Sequence, residues 1–126
     1  MIPASGKYRG QRVAVLGLGQ SGLAAARLAA RLGADVTALD SGNSPAATTA
    51  AATLISEGIH ALTGPAALTC PTRFDLAVLS PAIDPSWPLA RLVIDAGTKA
   101  ISEIEFAIQQ SSIPVIAITG TNGKTT

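Results

Sequence analysis

The sequence predicts an α/β protein, with a Rossmann-like parallel sheet flanked by helices in three layers, α/β/α. Three observations carry this expectation. Short apolar runs alternate with Ala- and Leu-rich stretches of helical spacing, the order of elements that gives a parallel sheet with helices on both faces. The apolar runs are continuous, as in strands buried on both sides. A glycine-rich turn joins the first run to the first helical stretch, inside a strand–helix–strand unit of about 30 residues.

The elements follow in order. Arg12-Val13-Ala14-Val15-Leu16 reads as the first strand, stopping at Gly17. Ser21 to Leu32 reads as a helix, with Ala24, Leu28 and Leu32 recurring at i, i+4, i+8 on one face and Arg27 and Arg31 on a neighbouring, solvated one. Gly33 stands where a left-handed residue ends a helix. Asp35 to Leu39 is the second strand, ending at Asp40. Ser44 caps a helix with Pro45 at its first position, running to Glu57 and Gly58. His60-Ala61-Leu62 is a weak third strand and Leu76 to Leu79 a clear fourth. Ser86 is expected to cap a helix from Trp87 to Ala96, closed by Gly97. Thr98 to Ile101 is a short fifth strand. Ser102-Glu103-Ile104-Glu105 has the spacing of a capping box opening a helix to about Gln110, and Ile113 to Ile118 is a final strand.

Composition narrows the class. The chain has 126 residues, a one-domain length, and a net charge of +1. With 48% hydrophobic and 13% charged residues, intrinsic disorder is excluded, and so is a strongly basic nucleic-acid surface. There are 24 Ala and four aromatics, Tyr8, Phe74, Trp87 and Phe106, so the core is built of small side chains that let helices approach a sheet closely. No apolar run reaches the ~18–20 residues of a membrane helix. Met1 to Gly10 lacks the long apolar region of a secretory signal. The single cysteine, Cys70, makes no internal disulfide. The expected location is cytoplasmic.

Two loops have the pattern of phosphate binders. The first is Gly17-Leu18-Gly19-Gln20-Ser21-Gly22, between a strand and a helix, with the acid Asp40 ending the next strand 18 residues after Gly22. This is the dinucleotide-type fingerprint in its full context. Gly17 permits the turn, Gly19 lets a ligand approach the backbone, and Gly22 lets helix and strand pack closely. The helix N-terminus offers free N–H groups and partial positive charge to a diphosphate. Asp40 can accept from ribose hydroxyls or a base N–H; the same arrangement suits NAD, so an NAD-binding Rossmann module is an alternative reading. The second loop is Thr119-Gly120-Thr121-Asn122-Gly123-Lys124-Thr125-Thr126. Its Gly-Lys-Thr ends a P-loop, in which Lys124 neutralises the β/γ-phosphates and the Thr125 hydroxyl ligates Mg²⁺. Ile118 stands where the general pattern has its first Gly. The sequence stops before the helix that makes such a loop effective, so the chain is expected to be a piece cut within the loop and a poor ATP binder by itself.

Other candidates have plainer readings. Lone His60 lacks partners at metal-ligand spacing. Trp87 is read as packing at a helix start. Glu103 and Glu105 could be paired carboxylates, but a capping box explains Glu105 more simply. Asp84 and Asp95 show no partner pattern.

Ile118 to Thr126 resembles the ATP-loop signature of the Mur ligases, which build the peptide of bacterial cell-wall precursors and do not typically carry Gly at the Ile118 position. Gly17 to Ala24 resembles the D-glutamate-adding branch of that family. Leu79-Ser80-Pro81-Ala82-Ile83 and Ser102-Glu103-Ile104-Glu105-Phe106 match its other recurring segments in order. The resemblance covers almost the whole chain. It implies residues 1–100 as a Rossmann-like domain for the UDP-sugar substrate and 101–126 as the start of the central ATP-binding domain.

The resemblance also implies roles. Gly19, Gln20 and Ser21 would meet the diphosphate, Asp40 and Ser41 the uracil, and Ser80 and Ala82 the substrate from the fourth-strand loop. The family usually has Gly at the Ala82 position, and often a basic residue where this chain has Gly42. Gly120, Thr121, Asn122, Gly123, Lys124, Thr125 and Thr126 would bind ATP, with Lys124 and Thr125 catalytic and Thr125 on Mg²⁺. The implied partners are UDP-N-acetylmuramoyl-L-alanine, D-glutamate and ATP, acting on a monomer without nucleic acid or membrane. The implied reaction is amide formation through an acyl phosphate. The chain alone is expected to be inactive and to hold no cofactor tightly.

Overall fold

A computed structural model of the chain describes residues 8–69 and 73–110. The expected strand at 113–118, the loop at 119–126 and Cys70 lie outside the described residues. The elements are β1 (Arg12–Leu16), α1 (Gln20–Arg31), β2 (Asp35–Asp40), α2 (Pro45–Ser56), β3 (His60–Thr63), α3 (Pro65–Leu68), β4 (Leu76–Leu79), α4 (Pro88–Asp95), β5 (Lys99–Ser102) and α5 (Glu103–Gln109). All described strand pairs are parallel, in the order β3-β2-β1-β4-β5. β1 is central, so its apolar run is covered on both sides.

The period-two alternation of each strand sorts its side chains into two cores. Val13, Val15, Val36, Ala38 and Val78 face one way, toward Ala25, Ala26 and Ala29 of α1, Ala50, Ala51 and Leu54 of α2, and Phe106 of α5. Ala14, Leu16, Leu39 and Ala77 face the other way, toward Ala67 of α3 and Leu89, Ala90 and Val93 of α4. This is the three-layer α/β/α arrangement. Alanine dominates the α1 and α2 contact faces, as the composition implies.

The details correct four expectations. The buried face of α1 is Gly22, Ala25, Ala26 and Ala29; of the Ala24–Leu28–Leu32 row, Leu32 joins the core and Leu28 packs against it, whereas Ala24 is exposed, because the sheet sits against the small residues. Arg27 is not simply solvated: its guanidinium donates twice to the Glu57 carboxylate, at 3.0 and 2.6 Å, because α1 and α2 lie side by side on one face. Ser86 does not cap α4. Pro88 opens that helix and Trp87 is its N-cap in extended conformation, since a residue before proline is pushed out of the helical region. Ser86 instead donates from its N–H and hydroxyl to Asp84 Oδ1. Trp87 itself stands at the helix start but is 48% exposed, so it packs with only part of its ring.

Ser44 does cap α2, accepting the Ala47 N–H at 3.1 Å with Pro45 at N1. Half of the predicted capping box at α5 is present: Ser102 Oγ accepts the Glu105 N–H at 3.0 Å, while the Glu105 carboxylate accepts from Gln109. Asp95, without an evident partner in the sequence, pairs with Arg91 one turn earlier. The short α3 was not expected from the sequence.

Candidate nucleotide-diphosphate site

In an open parallel sheet, ligands bind beyond the carboxyl ends of the strands where the strand order reverses. Here that place lies between β1 and β4, and it brings together the Gly17–Gly22 turn and the Ser80–Ile83 turn. Gly17 has φ +100, open only to glycine without strain. A Cβ on Gly17 would stand 2.7 Å from Ser80 Cβ and 3.1 Å from Ile83, so the two turns touch at this residue. A Cβ on Gly22 would stand 1.8 Å from the Gly17 carbonyl oxygen. The helix therefore starts directly against the turn, as the fingerprint requires. A Cβ on Gly19 would meet nothing within 4 Å, and Gly19, Gln20 and Ser21 are exposed.

α1 begins without a side-chain cap, its N-cap being Gly19, and has no acid in its own first turn. Its leading N–H groups are thus available to an outside acceptor. The turns at 17–22, 40–44 and 80–86 contain no Lys or Arg. Within these turns an anion would meet backbone amides, the helix dipole and neutral donors such as Gln20 and Ser21.

Asp40 has a structural task that the motif did not reveal. Its Oδ2 accepts the Leu18 N–H and its Oδ1 the Gly42 N–H, both at 2.8 Å. One carboxylate thus ties the glycine-rich turn to the turn after β2. Each oxygen keeps a lone pair for a further donor. Ser41 is exposed beside it. Ser80 is buried beneath Gly17, and its Oγ accepts the Ala82 N–H at 3.3 Å; Ala82 is exposed.

The expected site residues that are described lie at the carboxyl ends of the strands but do not share one cavity. Gly19 and Gln20 line a cleft of about 380 Å³ whose other walls include Pro45 and Thr49 of α2. Ser80 lines another with Ser102 and Glu105. Ser21 lines a third, between α1 and α5, with Glu103 on its wall. Glu103 was not expected at the site: it is 8% exposed, and its Oε2 is buried with no hydrogen-bond partner among the described residues. His60 stands at the opposite edge of the sheet, in a cavity with Arg12 and Asp35 at the strand starts. Among the described residues no group of three metal-ligating side chains occurs, and no helix is long and apolar enough to cross a membrane.

Outside the Ser80 turn, Asp84 is held well ionised, its pKa lowered by the backbone and hydroxyl hydrogen bonds from Ser86.

A parallel sheet in this order, with an uncapped helix rising from a glycine turn at its centre, defines a Rossmann-like α/β domain with a phosphate-type loop. Two solved structures share that fold. Dipicolinate synthase, A chain, from Bacillus subtilis matches with a TM-score of 0.54 and 21% identity over 76% of this chain and 38% of its own. A mutant form of MtNAS matches with a TM-score of 0.55 and 20% identity over 77% of this chain and 39% of its own. The profile described as "Mur ligase MurD-like, N-terminal domain" matches residues 11–116, and the chain belongs to that family. UDP-N-acetylmuramoylalanine--D-glutamate ligase of Ligilactobacillus salivarius is 44% identical over 120 residues, covering 95% of this chain and 26% of the relative. The enzyme of the same name from Trichlorobacter lovleyi is 40% identical over 120 residues, covering 95% of this chain and 27% of the relative. The chain thus spans about a quarter of the length of these relatives.

Proposed function

We propose that this chain is the part of a D-glutamate-adding ligase that recognises the uridine diphosphate portion of UDP-N-acetylmuramoyl-L-alanine. The observation that carries the reading is the uncapped start of α1 at the glycine turn, tied by Asp40 to the next strand, in a chain 44% identical to a ligase of that name. The exposed Gly19-Gln20-Ser21 backbone would take the diphosphate, and Asp40 with Ser41 the uracil. Ser80 would support the loop from below, and exposed Ala82 would face the substrate.

The whole protein would join D-glutamate to the alanyl carboxylate at the expense of ATP, as a cytoplasmic monomer. Residues 120–126 would hold ATP and Mg²⁺, with Lys124 and Thr125 nearest the transferred phosphoryl group. Those residues lie outside the described ones; the Gly123-Lys124-Thr125 motif supports their part.

Titration with UDP, UDP-N-acetylmuramoyl-L-alanine and NADH tests the proposal. Both uridine ligands are expected to bind at the 17–22 turn. Tight NADH binding with no response to either uridine ligand would leave the NAD module as the better reading. Asp40→Ala is expected to weaken UDP binding and Lys124→Ala to change it little; equal effects would refute this division of labour.

A further inference from the structure

Glu103 is the first residue of α5, and its carboxylate points at α1. Its Oε2 is buried and has no partner among the described residues, and a Cβ built on Gly22 would stand 3.7 Å from it. The residue is only 8% exposed. It shares a cleft with Ser21 and Ala25 of α1 and with Phe106 of α5. The third residue of α1 therefore has a carboxyl group on its inner side, supplied by another helix. The outer side of the same helix start is the anion seat described above.

A carboxylate near a helix N-terminus is held by the partial positive charge there. An anion arriving from outside meets the same partial charge, already shared, and a like charge behind it. No Lys or Arg stands in the 17–22, 40–44 or 80–86 turns to offset that repulsion, and a buried charge is little screened by salt. We infer that Glu103 is a positioning residue that acts through the α1 N-terminus to keep diphosphate binding weak. The inference rests on the proposed diphosphate seat. It has a use in the proposed reaction, because substrate and product carry the same diphosphate. Tight binding of that group would hold both equally and slow turnover without aiding the chemical step.

The test titrates UDP, inorganic pyrophosphate and uridine into the wild-type chain and into Glu103→Gln and Glu103→Asp, with thermal midpoints recorded for each. Removing the charge at constant shape is expected to tighten UDP and pyrophosphate about three- to tenfold. Uridine, which lacks phosphate, should be unaffected, and the Asp variant should stay within about twofold of wild type. If the Gln variant does not fold, Glu103→Ala makes the same comparison. A folded, charge-free variant that binds UDP and pyrophosphate no more tightly than wild type overturns the inference and leaves the uridine reading standing. Pyrophosphate tightened in the Gln variant, with no added affinity from the uridine of UDP, supports the inference and overturns that reading. No binding of either anion by any variant overturns both.

Discussion

The Asp40 carboxylate accepts the Leu18 amide at 2.8 Å, across 22 residues of sequence. With the Gly42 amide on its other oxygen, this one side chain sets the distance between the glycine-rich turn and the end of β2. An acid at this place thus shapes the site before any ligand arrives. Asp40→Ala is expected to cost about 2 kcal/mol of stability, from two hydrogen bonds to a charged acceptor in a partly exposed place. UDP affinity should fall more than thermal stability accounts for. Urea unfolding and UDP titration on the same variant separate the two effects.

Gly19 and Gly22 should respond oppositely to alanine. At Gly22 the new methyl would lie 1.8 Å from the Gly17 carbonyl oxygen, so α1 must shift, at a cost of roughly 3 kcal/mol. At Gly19 the methyl enters open space, where a ligand would come closest to the backbone. Gly19→Ala should cost no more than about 1 kcal/mol, because alanine is the poorer N-cap, and lose UDP affinity. Denaturation curves and titrations for the pair check both statements.

Ser44→Ala should remove the α2 cap. The lost bond to the Ala47 amide is worth about 1 kcal/mol, and alanine offers no side-chain acceptor in its place. Urea denaturation is the measurement, and Ser44→Asp should restore most of the loss.

The Arg27–Glu57 clasp predicts a pH dependence. The hydrogen bond from Arg27 holds the Glu57 pKa below its ordinary 4.5, and Glu57 raises that of Arg27. A carboxylate with a depressed folded pKa binds fewer protons folded than unfolded. Its contribution is therefore present above about pH 4.5 and lost as pH falls through the lower folded value. Urea midpoints of wild type and Arg27→Ala should differ at about pH 7 and converge as the pH falls below the folded value. Both side chains are exposed, so the difference at neutral pH should be small.

Much of the architecture was legible because it is written locally. The β1, β2 and β4 runs are apolar on both faces, and only a two-sided parallel sheet covers such strands. Ser44-Pro45 announces a helix start because a hydroxyl cap and a proline at N1 act within four residues. The errors arose where a neighbour decides. The row Ala24–Leu28–Leu32 and the row Gly22–Ala25–Ala29 are equally periodic, and only the sheet's position decides that the second is buried throughout while the first is buried at Leu32 and exposed at Ala24. Ser86 looks like a cap, but the proline two residues on moves the helix start past it.

The sequence by itself determined the class of the domain, the place of its glycine turn and the absence of a side-chain cap or an acid at the start of the helix that follows it. These follow from backbone rules that act over a few residues. Only the tertiary structure decided what surrounds that turn. Asp40 reaches Leu18, Ser80 lies beneath Gly17, and the Glu103 carboxylate comes to rest behind Gly22. Each of these meetings joins residues far apart in the chain, and each is set by which strands pair and which helices lie side by side. No local pattern of residue types encodes that pairing.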